Sequence, residues 1–377
     1  MQSLPAPRVG TLGMFIIDTF EFLQEDSTPE NPKDRGYGEQ IGGAGSYAMV
    51  GARAWIEPDR LRMIVHRGMD WKLEWQGRLE TYMNVSDRAA DAAARGPWIF
   101  RTREAQRTTR AVNIYQGQHR GFEYLTPKLR IEPEDFVDSV EASLPEVVHF
   151  VCSPDRAEAI SDKVDSLVAT GHGCSLSLQS RQPLLVWEPI PDSATHENLR
   201  GCLKLFPRLH VFSPNHEEAA NLLAVDPPGD DADARSIIEE LAEVFVGLAQ
   251  ESQPHAHPII CIRSGKLGSY IRGYQVPGFW SQAYHTEAMK ERVVDVTGGG
   301  NGWLGGFCAI LANAYAKQNR ESLRSDEALL KEAADCASIS ASYIIEQLGL
   351  PDIEVWSREN GTDAPVARLA KLRNRRA

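Results

Sequence analysis

The residues best suited to chemistry lie in VVDVTGGGNGWLGGF, residues 293–307. Gly298, Gly299 and Gly300 let successive backbone N–H groups converge on one point. The apolar run from Trp303 predicts a helix starting near Gly302, whose positive end aims at the same point. Such a cradle suits an anion with charge spread over several oxygens, as in a phosphoryl group in transfer. Gly305 and Gly306 remove side chains from this helix, so it can press against a strand. A glycine-rich turn also serves shape alone, and the loop in isolation leaves the two readings about level. Asn301 closes the glycine run, where a proton-transferring site would want a carboxylate.

Other segments add groups that each have a plain structural reading as well. CIRSGKLGSYI (261–271) predicts a strand, a G-x-x-G turn and a second strand. Ser264, Gly265 and Gly268 there could hold a nucleotide by backbone contacts, or only close a hairpin. FSPNHEEAANLL (212–223) sets Asn215 and Glu218 three apart at a strand-to-helix transition. Glu218 could hold the water shell of Mg²⁺, or be the dipole carboxylate of a helix capped by Asn215. GMFIIDTF (13–20) puts Asp18 just after an apolar strand, able to accept hydrogen bonds from substrate hydroxyls or to close a turn. IGGAGSYAMVGARAW (41–55) is another small-residue turn entering a helix. His255 and His257 in PHAHP lack further ligands at suitable spacing and read as a loop.

The elements that position these groups alternate along the chain. Strands are expected in RVGTLGMFII (8–17), RMIVHRG (62–68), EVVHFVC (146–152), PLLVWEP (183–189), LHVFSPN (209–215) and PIICIRSG (258–265). Helical patterns lie between them, clearest at 232–249, where Ile237, Ile238, Leu241, Val244, Phe245 and Leu248 share a face. This predicts an α/β fold with a mostly parallel sheet. Residues 19–40 and about 97–126 break the alternation with aromatic and β-branched residues between turn formers, and predict a small β-sheet over the mouth of the main one. The tail from Ala364 has five Arg or Lys and no acid, and reads as a solvated, frayed terminus before an RNA contact or import signal.

Composition bounds the function. The net charge of −12 argues against a general nucleic-acid binder, which needs a cationic surface. No apolar run reaches the ~18 residues of a membrane span. The start lacks the pattern of a secretory signal. Six cysteines without C-x-x-C spacing read as reduced core thiols, so the NVS sequon at Asn84 carries no meaning and a cytoplasmic protein is expected.

The order of these pieces resembles the ribokinase-like (PfkB) carbohydrate kinases over about residues 8–350. That order is an Asp after strand one, a G-G turn, GMD (68–70), N-x-x-E, G-x-x-G, then DVTGGGN against the family's D-T-x-G-A-G-D. Within the superfamily, VTGGGNGWLGGF with EQLGLP (346–351) resembles the fungal maintenance-of-killer branch. The resemblance implies a three-layer α/β/α sandwich with a Rossmann-like central sheet and a small β lid, as one domain to residue 360. It implies ATP and Mg²⁺ as cofactors and a small alcohol, sugar or nucleoside-like, as substrate, with no membrane partner. Gly298, Gly299 and Gly300 would form the anion hole. Asn215 and Glu218 would organise Mg²⁺ and phosphate, while Ser264, Gly265, Gly268 and Thr297 would lie along the nucleotide. Asp18, Gly42, Gly43 and Ser46 would face the substrate, and lid strands of this family can pair between subunits as a homodimer.

Two departures matter. The family's catalytic base is the Asp closing the glycine loop, and Asn301 stands there. An amide can orient a hydroxyl but cannot take its proton, and losing a general base costs ~10²–10⁴ in rate. The family's substrate Asn after the glycine pair is Ser46 or Tyr47 here. A working kinase and a pseudokinase that binds nucleotide or metabolite as a sensor or scaffold are therefore both carried forward. A third reading follows from Asn301-Gly302, since deamidation there would restore a carboxylate.

Overall fold

The computed structural model describes residues 9–23, 38–83, 96–116, 119–138, 143–175, 180–229, 233–252, 258–273, 275–353 and 363–375. Asn84, His255 and His257 fall outside them, as do residues 24–37 of the first expected lid segment. The first half of the chain runs β1 (Val9–Thr11), β2 (Ile16–Leu23), β3 (Gln40–Gly42), α1 (Ala44–Arg53), β4 (Leu61–Gly68), α2 (Leu73–Glu80), β5 (Trp98–Arg103), β6 (Arg110–Gln116), β7 (His119–Tyr124), α3 (Glu134–Val137), β8 (Val147–Val151) and α4 (Pro154–Ala169). A short pair, β9 (Cys174–Ser175) and β10 (Ser180–Arg181), precedes β11 (Leu184–Glu188), α5 (Leu199–Leu205), β12 (Val211–Phe212), α6 (His216–Leu222) and α7 (Ala234–Ser252). Then come β13 (Ile259–Arg263), β14 (Ser269–Arg272), β15 (Phe279–Ser281), α8 (Gly299–Tyr315), α9 (Arg320–Ser325), α10 (Glu327–Ile344) and α11 (Pro365–Asn374).

Nine strands form the main sheet in the order β15-β14-β13-β12-β11-β8-β1-β4-β5. It is parallel from β13 to β5, with β14 and β15 added antiparallel. Both faces are covered, and the strands show it by alternation. Val147, Leu184, Val186, Ile259 and Cys261 point into one core, shared with α1, α8 and α10. Val148, Phe150, Leu185, Trp187, Ile260 and Ile262 point into the other, shared with α4, α5, α6 and α7. Strands buried on both sides read as unbroken apolar runs, as expected for a parallel sheet between helical layers. The three-layer sandwich is therefore present.

The expected strand 8–17 is two strands. The chain leaves the main sheet after Thr11, turns at Gly13 and enters a separate four-stranded sheet of order β3-β2-β6-β7. Gly13 is required at the turn, because a Cβ there would come 2.6 Å from Gly45 N. This second sheet is the small sheet expected from the irregular segments, with one correction. Trp98–Arg103 pairs in parallel with β4 at the edge of the main sheet, so the 97–126 segment contributes only β6 and β7 to the small one. Asp70, from the GMD segment, ties the two sheets together. Its carboxylate accepts from Thr108 N at 2.7 Å and from Arg110 Nε at 2.8 Å, just where β6 begins.

The helix after the glycine loop also differs from expectation. It begins at Gly299, three residues early, with Gly298 as N-cap in the left-handed region at φ 77°. Its glycines seat it on helices, not on a strand. A Cβ on Gly305 would come 1.9 Å from Ala48 O of α1, and one on Gly306 would come 2.4 Å from Ser340 Oγ of α10. Gly51 meets Gly302 the same way, at 2.1 Å from its carbonyl oxygen. The basic tail is corrected as well. Residues 365–374 form α11, and Arg368 is wholly buried, paired with Glu346 at 2.8 Å and stacked over Tyr343 at 3.9 Å. Among the described residues no helix is long and apolar enough to cross a membrane. All six cysteines are free thiols, five of them buried.

Candidate functional site

The start of α8 lies against the carboxyl ends of the parallel strands β11 and β13, at Glu188 and Arg263. Gly299 N is taken by Val296 O at 3.1 Å, and Gly302 N by Gly298 O at 2.8 Å. The amides of Gly300 and Asn301 stand in the first turn, where an α-helix offers no acceptor four residues back, and no side chain caps this end. The helix dipole and the first-turn N–H groups give this end of α8 the electrostatics of an anion site, the cradle candidate, but the open amides are those of Gly300 and Asn301, since the Gly299 N–H is engaged. Thr297 shapes the entry, its N–H donating to Asp295 Oδ1 at 3.0 Å. Because Gly302 N–H is already engaged within helical backbone, attack on the Asn301 amide is disfavoured, and the deamidation reading loses its geometric basis.

A guanidinium lies directly over this cradle. A Cβ on Gly300 would come 2.1 Å from Arg263 Nη1, so a side chain there would have to displace the guanidinium. Arg263 is the last residue of β13. It donates to Ser213 Oγ at 3.2 Å and Ser213 O at 2.9 Å, pairs with Glu188 Oε1 at 2.9 Å, and lies 3.7 Å from Glu218 Oε2. Glu188, the last residue of β11, holds the cradle from below: Asn301 Nδ2 donates to its Oε2 at 2.8 Å. A carboxylate there admits only the amide's N–H₂, which fixes the orientation of Asn301. His149 Nε2 lies 3.8 Å from the same oxygen, and His149 Nδ1 is hydrogen-bonded to Thr11 Oγ1 at 2.9 Å. Gly13 N also donates to that hydroxyl, at 3.0 Å.

The two carboxylates are tuned in opposite directions. Burial pushes Glu188 up, but Arg263, His149 and the Asn301 amide together outweigh it, and the group is held below the usual carboxylate range. Burial dominates at Glu218 and raises it to about 7, with Arg263 opposing and Glu188 adding to the rise. Asn215 and Glu218 form a full capping box on α6: Glu218 N donates to Asn215 Oδ1 and Asn215 N to Glu218 Oε2, each at 2.8 Å. The structural reading of this pair is thus realised, and Glu218 still faces Arg263 and the cradle.

The remaining candidates fall on two sides. Gly42 and Asp18 meet across β2 and β3, where a Cβ on Gly42 would come 1.8 Å from Asp18 Oδ2. Gly43 is the N-cap of α1 at φ 87°. Of the two residues left open after it, Tyr47 lies against the glycine loop, its ring 2.3 Å from where a Gly298 Cβ would stand. Ser46 is fully buried, and its hydroxyl has no hydrogen-bond partner among the described residues. Ser264, Gly265 and Gly268 form a tight turn between β13 and β14, with Ser264 N donating to Gly268 O at 2.8 Å and both glycines at positive φ. Ser264 Oγ is likewise buried and unpartnered among the described residues. Among these residues no group of three or more His, Cys, Asp or Glu could hold a metal ion. A metal would thus need phosphate oxygens and water beside Glu218, a set that suits Mg²⁺.

Sequence reading missed Thr11, His149, Glu188 and Arg263. Three of these close a buried parallel strand at its carboxyl end, where ligands bind in open α/β sheets. A polar residue ending an apolar strand is the signal that could have found them.

No protein-family model matches the chain. It is 28% identical to an uncharacterized protein of Schizosaccharomyces pombe, over 93% of this chain and 89% of that one. It is also 28% identical to protein MAK32 of Saccharomyces cerevisiae, over 90% and 85%. Among solved structures it matches ribokinase from Giardia lamblia with a TM-score of 0.64 at 17% identity, covering 98% of each chain. It matches ribokinase from Cryptococcus neoformans in complex with ADP at 0.60 and 16%, covering 98% and 99%. Adenosine kinase from Anopheles gambiae matches at 0.57 and 15%, covering 90% and 96%. The chain thus has the ribokinase-like fold, and protein MAK32 is among its curated relatives.

Proposed function

We propose that the chain is an ATP-dependent phosphotransferase of carbohydrate-kinase type, transferring the γ-phosphate to a hydroxyl of a sugar or nucleoside-like molecule. The observation that carries this reading is the meeting of the glycine cradle, the Arg263 guanidinium and, through Tyr47, the Gly42–Gly43 turn. These supply what phosphoryl transfer needs most, charge neutralisation and positioning. The amides of Gly300 and Asn301 and the Arg263 guanidinium bind the transferring oxygens. The 264–268 turn lies along the nucleotide with Thr297, and Asp18 with the Gly42–Gly43 turn orients the acceptor hydroxyl. Glu218 holds Mg²⁺ through water, and the ion would neutralise the β- and γ-phosphates. The small sheet covers the acceptor side as a lid, and could pair with that of a second copy.

Asn301 favours a second reading, a nucleotide-binding pseudokinase that senses or scaffolds. The test is calorimetric ATP binding with turnover against a panel of sugars and nucleosides, for wild type and Asn301→Asp. Turnover by the wild type supports the kinase. ATP binding with turnover only in Asn301→Asp supports the pseudokinase, and absence of nucleotide binding sinks both.

A further inference from the structure

The amide at the base position is hydrogen-bonded to a carboxylate from another strand. We propose that Glu188 is the proton acceptor of the reaction, Asn301 holding the acceptor hydroxyl while the strand beneath supplies the missing carboxylate. This rests on the kinase reading above.

Glu188 is the last residue of β11 and is 7% exposed. Its Oε1 is taken by Arg263, and its Oε2 is turned to Asn301. With Nδ2 committed to Glu188, the amide's free acceptor is Oδ1, about 2.2 Å across the same planar group. A hydroxyl hydrogen-bonded to Oδ1 would stand roughly 5–6 Å from Glu188 Oε2, a span that one water bridges with two ordinary hydrogen bonds. Reach through one water is within the range of a general base. Arg263 holds the Glu188 carboxylate in place at 2.9 Å, and the His149 ring lies beside it at 3.8 Å.

The step balances. The acceptor oxygen forms a bond to the γ-phosphorus. The bond from that phosphorus to the β–γ bridging oxygen breaks, and its electron pair stays on ADP. The hydroxyl proton passes through the water to Glu188 Oε2. Because the transition state is loose, this proton moves late, and a base one water away suffices.

The test is a double-mutant cycle on the full chain, with the acceptor that the substrate panel identifies. Glu188→Gln should lower kcat ~10²–10⁴-fold while the calorimetric ATP affinity stays within about threefold. In the Asn301→Asp background, where a carboxylate stands at the reaction centre, the same change should cost under tenfold. Since Glu188→Gln also strips Arg263 of a counter-charge, Glu188→Asp is measured beside it. That variant keeps the charge, draws the oxygens back by about 1.5 Å, and should lose rate with its melting temperature retained. Full activity in Glu188→Gln overturns the proposal and leaves the kinase reading standing, as does an equal loss in both backgrounds. A wild type that binds ATP but turns over only as Asn301→Asp also overturns it. A wild type that binds no nucleotide removes the kinase reading itself.

Discussion

Replacing Gly305 with alanine should loosen the one helix pair that carries both sides of the site. The new Cβ would stand 1.9 Å from Ala48 O, and real Cβ atoms essentially never come within 3.0 Å of a neighbour, so α1 and α8 must part locally by about 1.1 Å. The opposing atom is backbone and cannot rotate aside, which puts the overpacking cost at the upper end of about 1–3 kcal/mol. Alanine returns about 0.5–1 kcal/mol through helix propensity. The net is a loss of about 2 kcal/mol. For 377 residues this lowers Tm by about 2 °C. Function should suffer more than stability, because α1 bears the Gly43 turn and α8 bears the cradle, and a displacement of about 1 Å between reacting groups can cost 10²-fold. Scanning calorimetry and kcat/KM are the assays. Gly247→Ala in α7, where nothing lies within 4 Å of the new Cβ, is the control and should gain up to about 1 kcal/mol. A Gly305→Ala protein that melts at or above the wild type would refute the reasoning.

Stability should fall with rising pH through Glu218. Its folded-state carboxyl is raised to about 7 from an ordinary value of 4.5, so the folded chain keeps a proton that the unfolded chain has released. Stability is therefore lost between about pH 4.5 and pH 7. Glu218→Gln preserves the capping box, and in metal-free buffer its denaturant midpoint should match the wild type near pH 4.5 and exceed it at pH 8 by about 3 kcal/mol. Asp70→Asn removes the carboxylate that accepts from Thr108 N and Arg110 Nε, and should cost about 1–2 kcal/mol after solvent screening, read as a lower urea midpoint at pH 7. Arg368→Ala removes the buried partner of Glu346 and Asp363, leaving them Arg292 and His285, and should cost about 1.5–3 kcal/mol, with limited proteolysis now cutting within 363–375.

The layers were legible because they are written in local pattern: double-sided burial makes apolar runs such as PLLVW and PIICI. The glycine run was legible as the approach to a helix, which starts at Gly299. Glu188 and Arg263 were not legible. Each is one polar residue at the end of an apolar run, and their pairing at 2.9 Å joins strands separated by 70 residues of intervening chain. Asn215 and Glu218 were read correctly as a spacing but left open as a role, since a capping box and a site near phosphate use the same two groups. The tail misled because its charge was counted before its period. Leu369 and Leu372 share a buried face with Arg368, and two tyrosines and two carboxylates neutralise what looked like a solvated cation.

The turn at Gly13 is linked to the start of α8. Gly13 N–H is tied to Thr11 Oγ1, that oxygen to His149, and His149 abuts the carboxylate that grips Asn301. Gly13 is also where the chain passes from the main sheet into the small one. Gly13 and Asn301 are thus the two ends of one short run of polar contacts, reaching from the passage between the sheets to the start of α8, and Thr11→Val would interrupt it at its first link.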